Sequence, residues 1–316
     1  MTGREKEVEK KLLQNEEETL KKLKKTYVDA LADVKKEIKY LQTDSDIQSK
    51  IYRVDYQKGL EEQINGIMAI LNDKHITTVD AFLAEMYKHG YAGIIYAAQG
   101  QQIPLTIPID QELLIKAVTK EIDDIKISTR LYNNVDKFKK DIIGEISRGI
   151  AQNASYKDIA LGVALKGNTS YNNAYRIART EGHRVATEAK RDSITRLRAG
   201  GADLVKFWDA TLDGKTRPAH ARLHGKWVED GEKFVTFDDI AGEVEALSPH
   251  DFGLPHLDVN CRCALLARPR WAVTGDRRYQ HIDNITGETI EANSFDEWLI
   301  KYHAQDEVLI NKYSSL

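Results

Sequence analysis

Leu204-Val205-Lys206-Phe207-Trp208-Asp209-Ala210-Thr211-Leu212-Asp213-Gly214-Lys215-Thr216-Arg217-Pro218-Ala219-His220-Ala221-Arg222-Leu223-His224-Gly225-Lys226-Trp227-Val228 marks the place where the chain changes character. Leu204–Trp208 is short, apolar and rich in β-formers, so it reads as a strand. Leu212-Asp213-Gly214-Lys215 reads as a turn, because Asp bonds its own backbone and Gly accepts positive φ. Pro218 suits the first turn of a short helix running to His224, since it has no N–H to leave orphaned there. Lys226-Trp227-Val228 and Phe234-Val235 are further strands around a turn at Asp230-Gly231. Asp238–His256 is loop-rich, and Cys261–Ala267 is another strand. After Arg268 the sequence predicts a small appendix, with a hairpin at Ile282–Gly287 and a last short helix capped by Ser294.

Upstream of Gly200-Gly201 the pattern is helical. Leu13, Leu20, Tyr27, Val34 and Leu41 recur every seventh residue, with Leu31 and Ile38 as companions, while Glu17 and Lys24 interrupt the earlier companion positions. A 3.5-residue repeat holds one seam against a partner helix. That partner is either a helix of the same domain or one on another subunit. Helices follow over about Val54–Leu71 and Thr78–Lys88, with Gly90 as a stop. Tyr91–Pro108, with Pro104 and Pro108, reads as extended or loop. Asp110 and Ser128 are candidate caps for the next two helices, to about Asp124 and Ile150. Ser155 with Asp158 resembles a capping box opening a helix that Gly167 closes. A last helix covers about Tyr171–Arg198.

The fold class is therefore α+β. A mainly helical region with a long amphipathic, coiled-coil-like helix covers residues 1–130. A unit over 131–268 follows, made of a helical stem (131–200) and a small α+β module (201–268). A C-terminal appendage covers 269–316. Apolar residues make up 41% of the 316, enough to build a core and exclude wholesale disorder. No stretch approaches the roughly 18–20 apolar residues that span a bilayer, and no membrane anchor is expected. The first residues lack an apolar signal region. Two cysteines cannot build a disulfide framework, so a reducing compartment is expected. A formal charge of −3 argues against a globally basic nucleic-acid binder, not against a local patch.

The chemistry-bearing residues cluster in the back. On a strand, Cys261 and Cys263 point to one face and Arg262 to the other. On a helix, His220 and His224 share a face at i,i+4. Two thiolates and two imidazoles facing each other suit a tetrahedral structural zinc site. The plainer reading makes the cysteines small buried apolar residues and the histidines ordinary hydrogen-bonding groups. A Cys-x-Cys disulfide would close a tight, strained ring.

Ile177-Ala178-Arg179-Thr180-Glu181, the Trp208–His220 block, Leu223-His224-Gly225-Lys226 and the closing Asn260-Cys261-Arg262-Cys263-Ala264-Leu265-Leu266 come in an order that resembles the phage Mu F-like head morphogenesis family, the minor head proteins of tailed bacteriophages. The resemblance covers roughly Ile142 to Arg268. It implies a few-copy virion component at the capsid interior or portal vertex, present in the host cytoplasm during assembly. Implied partners are the portal protein and the major capsid or scaffolding protein, with a role in some members in DNA entry into the host. Many members carry Cys-x-x-Cys where this chain has Arg217 and His220. Where a His often stands three residues before the first Cys, this chain has Asp258, with His256 nearby.

Between residues 171 and 200, seven Lys/Arg oppose three Asp/Glu, a balance of +4. Arg176, Arg179, His183 and Lys190 fall on one stripe, which can track the phosphates of double-stranded DNA without sequence preference. The alternative is a solvated helix face with internal ion pairs, such as Arg179 or Arg184 with Glu181 or Glu188. An enzyme would be a metal-dependent hydrolase or nuclease using Asp213, His220, His224 or Glu181, but no complete catalytic signature is present. A cellular coiled-coil adaptor with a zinc-like module is a further alternative.

Overall fold

The computed structural model describes residues 1–41, 43–50, 53–120, 126–275 and 290–313, with side chains to residue 304. The helices are α1 (Gly3–Leu41), α2 (Ile47–Lys50), α3 (Val54–Gln99), α4 (Gln111–Thr119), α5 (Ile127–Ala151), α6 (Tyr156–Ala199), α7 (Pro218–Ala221), α8 (Pro255–Asp258), α9 (Arg270–Thr274) and α10 (Phe295–Tyr313). The strands are β1 (Leu204–Asp209), β2 (Trp227–Val228), β3 (Phe234–Asp238), β4 (Gly242–Ala246) and β5 (Ala264–Pro269), confirming an α+β chain with a small sheet region near its C-terminus. The chain forms two compact units: Met1–Glu16 with Phe82–Lys120 and Thr180–Leu316, and Glu17–Ala81 with Glu121–Arg179.

Among its described residues the second unit has helices as its only regular elements. On α1, Leu23, Tyr27, Ala30, Val34, Ile38 and Leu41 are buried, a seam spaced by threes and fours. Tyr27, Val34, Ile38 and Leu41 fall on it as the repeat predicts, but Leu31 is only half-buried and Leu13 is exposed. A straight helix drifts about 20° per heptad, so a strict seven-residue count leaves the buried face over this length. Leu131, Val135, Phe138, Ile142, Ile146 and Ile150 of α5 present a matching apolar face. Among these side chains lies a polar node: the Tyr27 hydroxyl meets Ser170 Oγ at 2.9 Å, and Asn134 Nδ2 donates to Tyr27 at 3.0 Å. The His75 ring lies 4.6 Å from the Tyr27 ring, tilted 50° to it, and both its nitrogens are buried without a partner. The serine half of the expected capping box forms, with the Asp158 N–H donating to Ser155 Oγ, while the Asp158 carboxylate accepts from the Ser155 hydroxyl. Gly167 does not end that helix. A Cβ there would lie 2.8 Å from Leu31 Cδ1, so the glycine provides room for a neighbour, and α6 runs on. Nor is Ser128 a cap: α5 starts at Ile127, after Lys126, with no side-chain cap.

In the first unit Gly90 likewise is not a stop. A Cβ on it would come 2.5 Å from the carbonyl oxygen of Ala186, so glycine permits a close backbone crossing and α3 continues to Gln99. Tyr91–Ala98, expected as loop, is buried helix, and only the proline-bearing segment after Gln99 is irregular. Asp110 caps α4, accepting from the N–H groups of Glu112 and Leu113. The sheet order is β2-β1-β5, all antiparallel, with Phe207 opposite Leu266 and Trp227; β3 and β4 form a separate hairpin. Strand β5 begins at Ala264, so Cys261 and Cys263 precede the strand instead of lying in it. Ser294 caps α10 through the Glu297 N–H, and the Trp298 indole N–H donates to Gln99 at 2.8 Å. The hairpin expected at Ile282–Gly287 lies outside the described residues.

Gly90→Val forces an atom into the Ala186 carbonyl and lowers stability by about 1–3 kcal/mol. Gly66→Ala, at a helical site with open space around it, raises stability by about 0.5–1 kcal/mol in the same denaturation series. Burial pushes the His75 imidazole down to about 4, and His89 down to about 4 as well. The unfolded chain binds protons there first, so stability is complete above about pH 6.5 and is lost as pH falls toward 4. His75→Leu removes part of that loss, on the order of 3 kcal/mol at pH 4. Urea midpoints measured at pH 7 and pH 4.5 will show wild type and variant converging at the lower pH, or the variant ahead.

Candidate metal centre

Helix α7 is a single turn, and Pro218 at its first position sets φ for helix entry. It carries His220, which is 2% exposed. The Arg217 guanidinium just before it donates to the carbonyls of Leu257 at 3.1 Å and Val259 at 2.7 Å. It thereby ties α7 to the chain leaving α8. Asn260 then adopts φ +56, a conformation Asn tolerates better than most residues, and the Cys261 N–H bonds Asp258 O. This bend sends Cys261 inward, Arg262 outward and Cys263 inward, the alternation the sequence predicted although no strand is present.

The two sulfurs meet one imidazole. His220 Nδ1 lies 3.3 Å from Cys263 Sγ and 3.4 Å from Cys261 Sγ, and the Cys263 N–H also faces Cys261 Sγ. The three donor atoms all fall within 4.8 Å of one another, and all three residues are buried. A hydrogen bond from Cys263 holds the Cys261 thiol well below its ordinary range, helped by the charge of His250 and a bond to His220. Cys263, as the donor of that bond and itself buried, is pushed up. A cleft of about 20 Å³, room for about one water, opens onto the sulfurs beside Thr211, Thr216 and Arg217. Trp208 and Phe252 pack against the His220 ring, Trp208 edge-on at 6.0 Å, and Phe234 packs against Trp208.

Of the four expected ligands, the structure brings together His220, Cys261 and Cys263 but not His224. Helix α7 ends at Ala221, so the i,i+4 relation fails, and His224 Nδ1 instead accepts the Ala210 N–H at 3.1 Å. His250 is the residue that sequence reasoning missed. It lies against Cys261 and Asp258, wholly buried. Burial is the largest influence and opposes its charging, but Cys261 and Asp258 together outweigh it and raise its proton affinity. It sits in a loop after Ser248-Pro249, where spacing carries no signal beyond a turn. Asp258 and His256 serve other contacts: Asp258 accepts from the N–H groups of Phe252 and Leu254, and His256 pairs with Asp238.

The acid–base candidates are held by arginines. Asp213 makes a two-point pair with Arg262 at 2.6 and 2.7 Å, which keeps its carboxyl well below the usual range. Glu181 is 1% exposed and accepts from Arg184 Nε at 2.8 Å. The basic stripe is not one exposed surface either. Arg176 is exposed and Arg179 half-buried, but His183 meets Glu16 at 2.7 Å and Lys190 is buried in an ion pair with Glu9.

Residues 140–266 match the family model described as Phage Mu protein F like protein. GP7, a minor head protein of Bacillus phage SPP1, is 24% identical over 286 residues, 88% of this chain and 91% of that protein. The NAD(+)--arginine ADP-ribosyltransferase EFV of Enterococcus faecalis (strain ATCC 700802 / V583) is 30% identical over 297 residues, 93% of this chain but 59% of that protein. No solved structure matches the chain significantly.

The ion pairing separates two halves of the stripe. Lys190→Met leaves Glu9 without its buried partner and costs on the order of 3 kcal/mol in a denaturant titration. Arg176→Ala, on the exposed half, stays within about 0.5 kcal/mol of wild type.

Proposed function

Because residues 140–266 belong to the phage Mu F-like family, we propose that the chain is a phage minor head protein that acts in head morphogenesis and is incorporated in the virion. The observation that carries this reading is the match to a minor head protein across 88% of this chain and 91% of that one. In the finer reading the chain joins the procapsid interior or portal vertex, binding the portal protein and the major capsid or scaffolding protein. Contact with packaged DNA, or a part in its ejection, would use the exposed Arg176 and its neighbour Arg179, since His183 and Lys190 are engaged by carboxylates. No described helix is long and apolar enough to cross a membrane.

The role is architectural in this reading. Asp213 and Glu181, the carboxylates first considered for acid–base work or for a metal-dependent hydrolase, are each committed to an arginine. The name of the EFV relative favours a second reading, transfer of ADP-ribose from NAD+ to arginine. The present chain spans only 59% of that protein, however.

Mass spectrometry of purified particles is the direct test. The expected result is the intact chain in the virion, with fewer infectious particles when its gene is silenced. Absence of the chain from particles contradicts the reading. Incubating the purified chain with labelled NAD+ and an arginine analogue is expected to give no transfer, and turnover would favour the second reading instead.

A further inference from the structure

We infer that His220, Cys261 and Cys263, completed by His250, bind one divalent cation of the zinc class, and that this cation pins α7 to the segment entering β5. The inference stands apart from the head-protein reading, since it concerns only what holds the small module together.

The donor set is the first argument. Two sulfurs and one imidazole nitrogen are borderline-soft ligands, the kind zinc takes in structural sites. Zinc bonds of about 2.3 Å to sulfur and 2.0–2.1 Å to nitrogen in a tetrahedron place those atoms about 3.6 Å apart. The observed separations of 3.3 and 3.4 Å need only a slight widening.

Burial is the second. His220 Nε2 and both ring nitrogens of His250 are buried without a well-formed hydrogen bond. Polar groups left so cost free energy, and three such atoms beside two buried sulfurs are hard to explain as an apolar core. A cation held by the two sulfurs and His220 Nδ1 supplies a missing partner for one ring nitrogen of His250, the residue with two such atoms. A disulfide is a poorer account, because Cys-x-Cys closure is strained and both sulfurs already converge on the same ring.

The fourth position goes to His250 on geometry. His224 spends its Nδ1 on the Ala210 N–H, is exposed, and lies outside the group of three donors. His250 lies against Cys261 and Asp258, its ring stacked 5.5 Å from that of His183 and neither nitrogen in a well-formed hydrogen bond. Its nitrogens stand outside the three-atom group, so the ring turns toward the sulfurs on binding.

The role is a staple, not a reaction centre. The apolar cluster beside the site is small, made of Ala219, Val244 and Leu257 with Phe252 and Leu254 against it. Small modules of this kind gain much of their stability from cross-links.

The test uses the full chain, expressed with zinc in the medium, and measures bound metal by elemental analysis. About one zinc per chain is expected. Cys261→Ser and Cys263→Ser should each abolish it. His250→Ala should weaken binding at least on the order of 100-fold in a chelator competition, and His224→Ala should leave it unchanged. Should the cysteine variants fail to fold, cobalt substitution of the wild-type chain gives a second readout, with sulfur-to-cobalt charge-transfer absorption expected. Zinc absent from the purified chain, together with no such absorption on cobalt addition, overturns the site. Loss of metal in His224→Ala with retention in His250→Ala overturns the ligand set.

Discussion

Two sulfurs and an imidazole, 3.3 and 3.4 Å apart, hold the single turn of α7 against the chain that leads into β5. Neither segment would keep its place alone, since α7 has four residues and Cys261–Cys263 belongs to no regular element. Arg217 reinforces the same junction from the side, through the carbonyls of Leu257 and Val259. Here a guanidinium with two hydrogen bonds bridges those segments, leaving His220 to meet the sulfurs.

Carboxylates on α1 are paired across the first unit. Glu5, Glu9 and Glu16 lie on one face of α1 and are taken up by Arg268, Lys190 and His183 respectively. Removing either member of a buried pair leaves an uncompensated charge, which is far costlier than loss of a surface pair. These pairs turn a helix with a local excess of positive charge into a packing surface. They also narrow any nucleic-acid contact through α6 to its exposed arginines.

Local chemistry was the legible part of the sequence. Asp110, Ser155 and Ser294 cap helices because a cap needs only residues two or three positions away. The alternation of Cys261, Arg262 and Cys263 was legible too, and the Mu F-like region was recognisable from its closing motif. What failed were features whose meaning lies far along the chain. Gly90 and Gly167 look like helix stops but are close approaches to Ala186 and Leu31. Lys190 and His183 look exposed until Glu9 and Glu16, more than 160 positions upstream, are brought beside them. His250 reaches Cys261 from a loop with no periodicity, and His224 drops out because α7 stops one turn early.

X-ray absorption at the zinc edge, on the full-length chain purified without added chelator, addresses the junction most directly. Two sulfur neighbours at about 2.3 Å and two nitrogen neighbours at about 2.0 Å are the result that the cross-linked junction predicts. A shell of oxygen and nitrogen alone would place the metal elsewhere and contradict it.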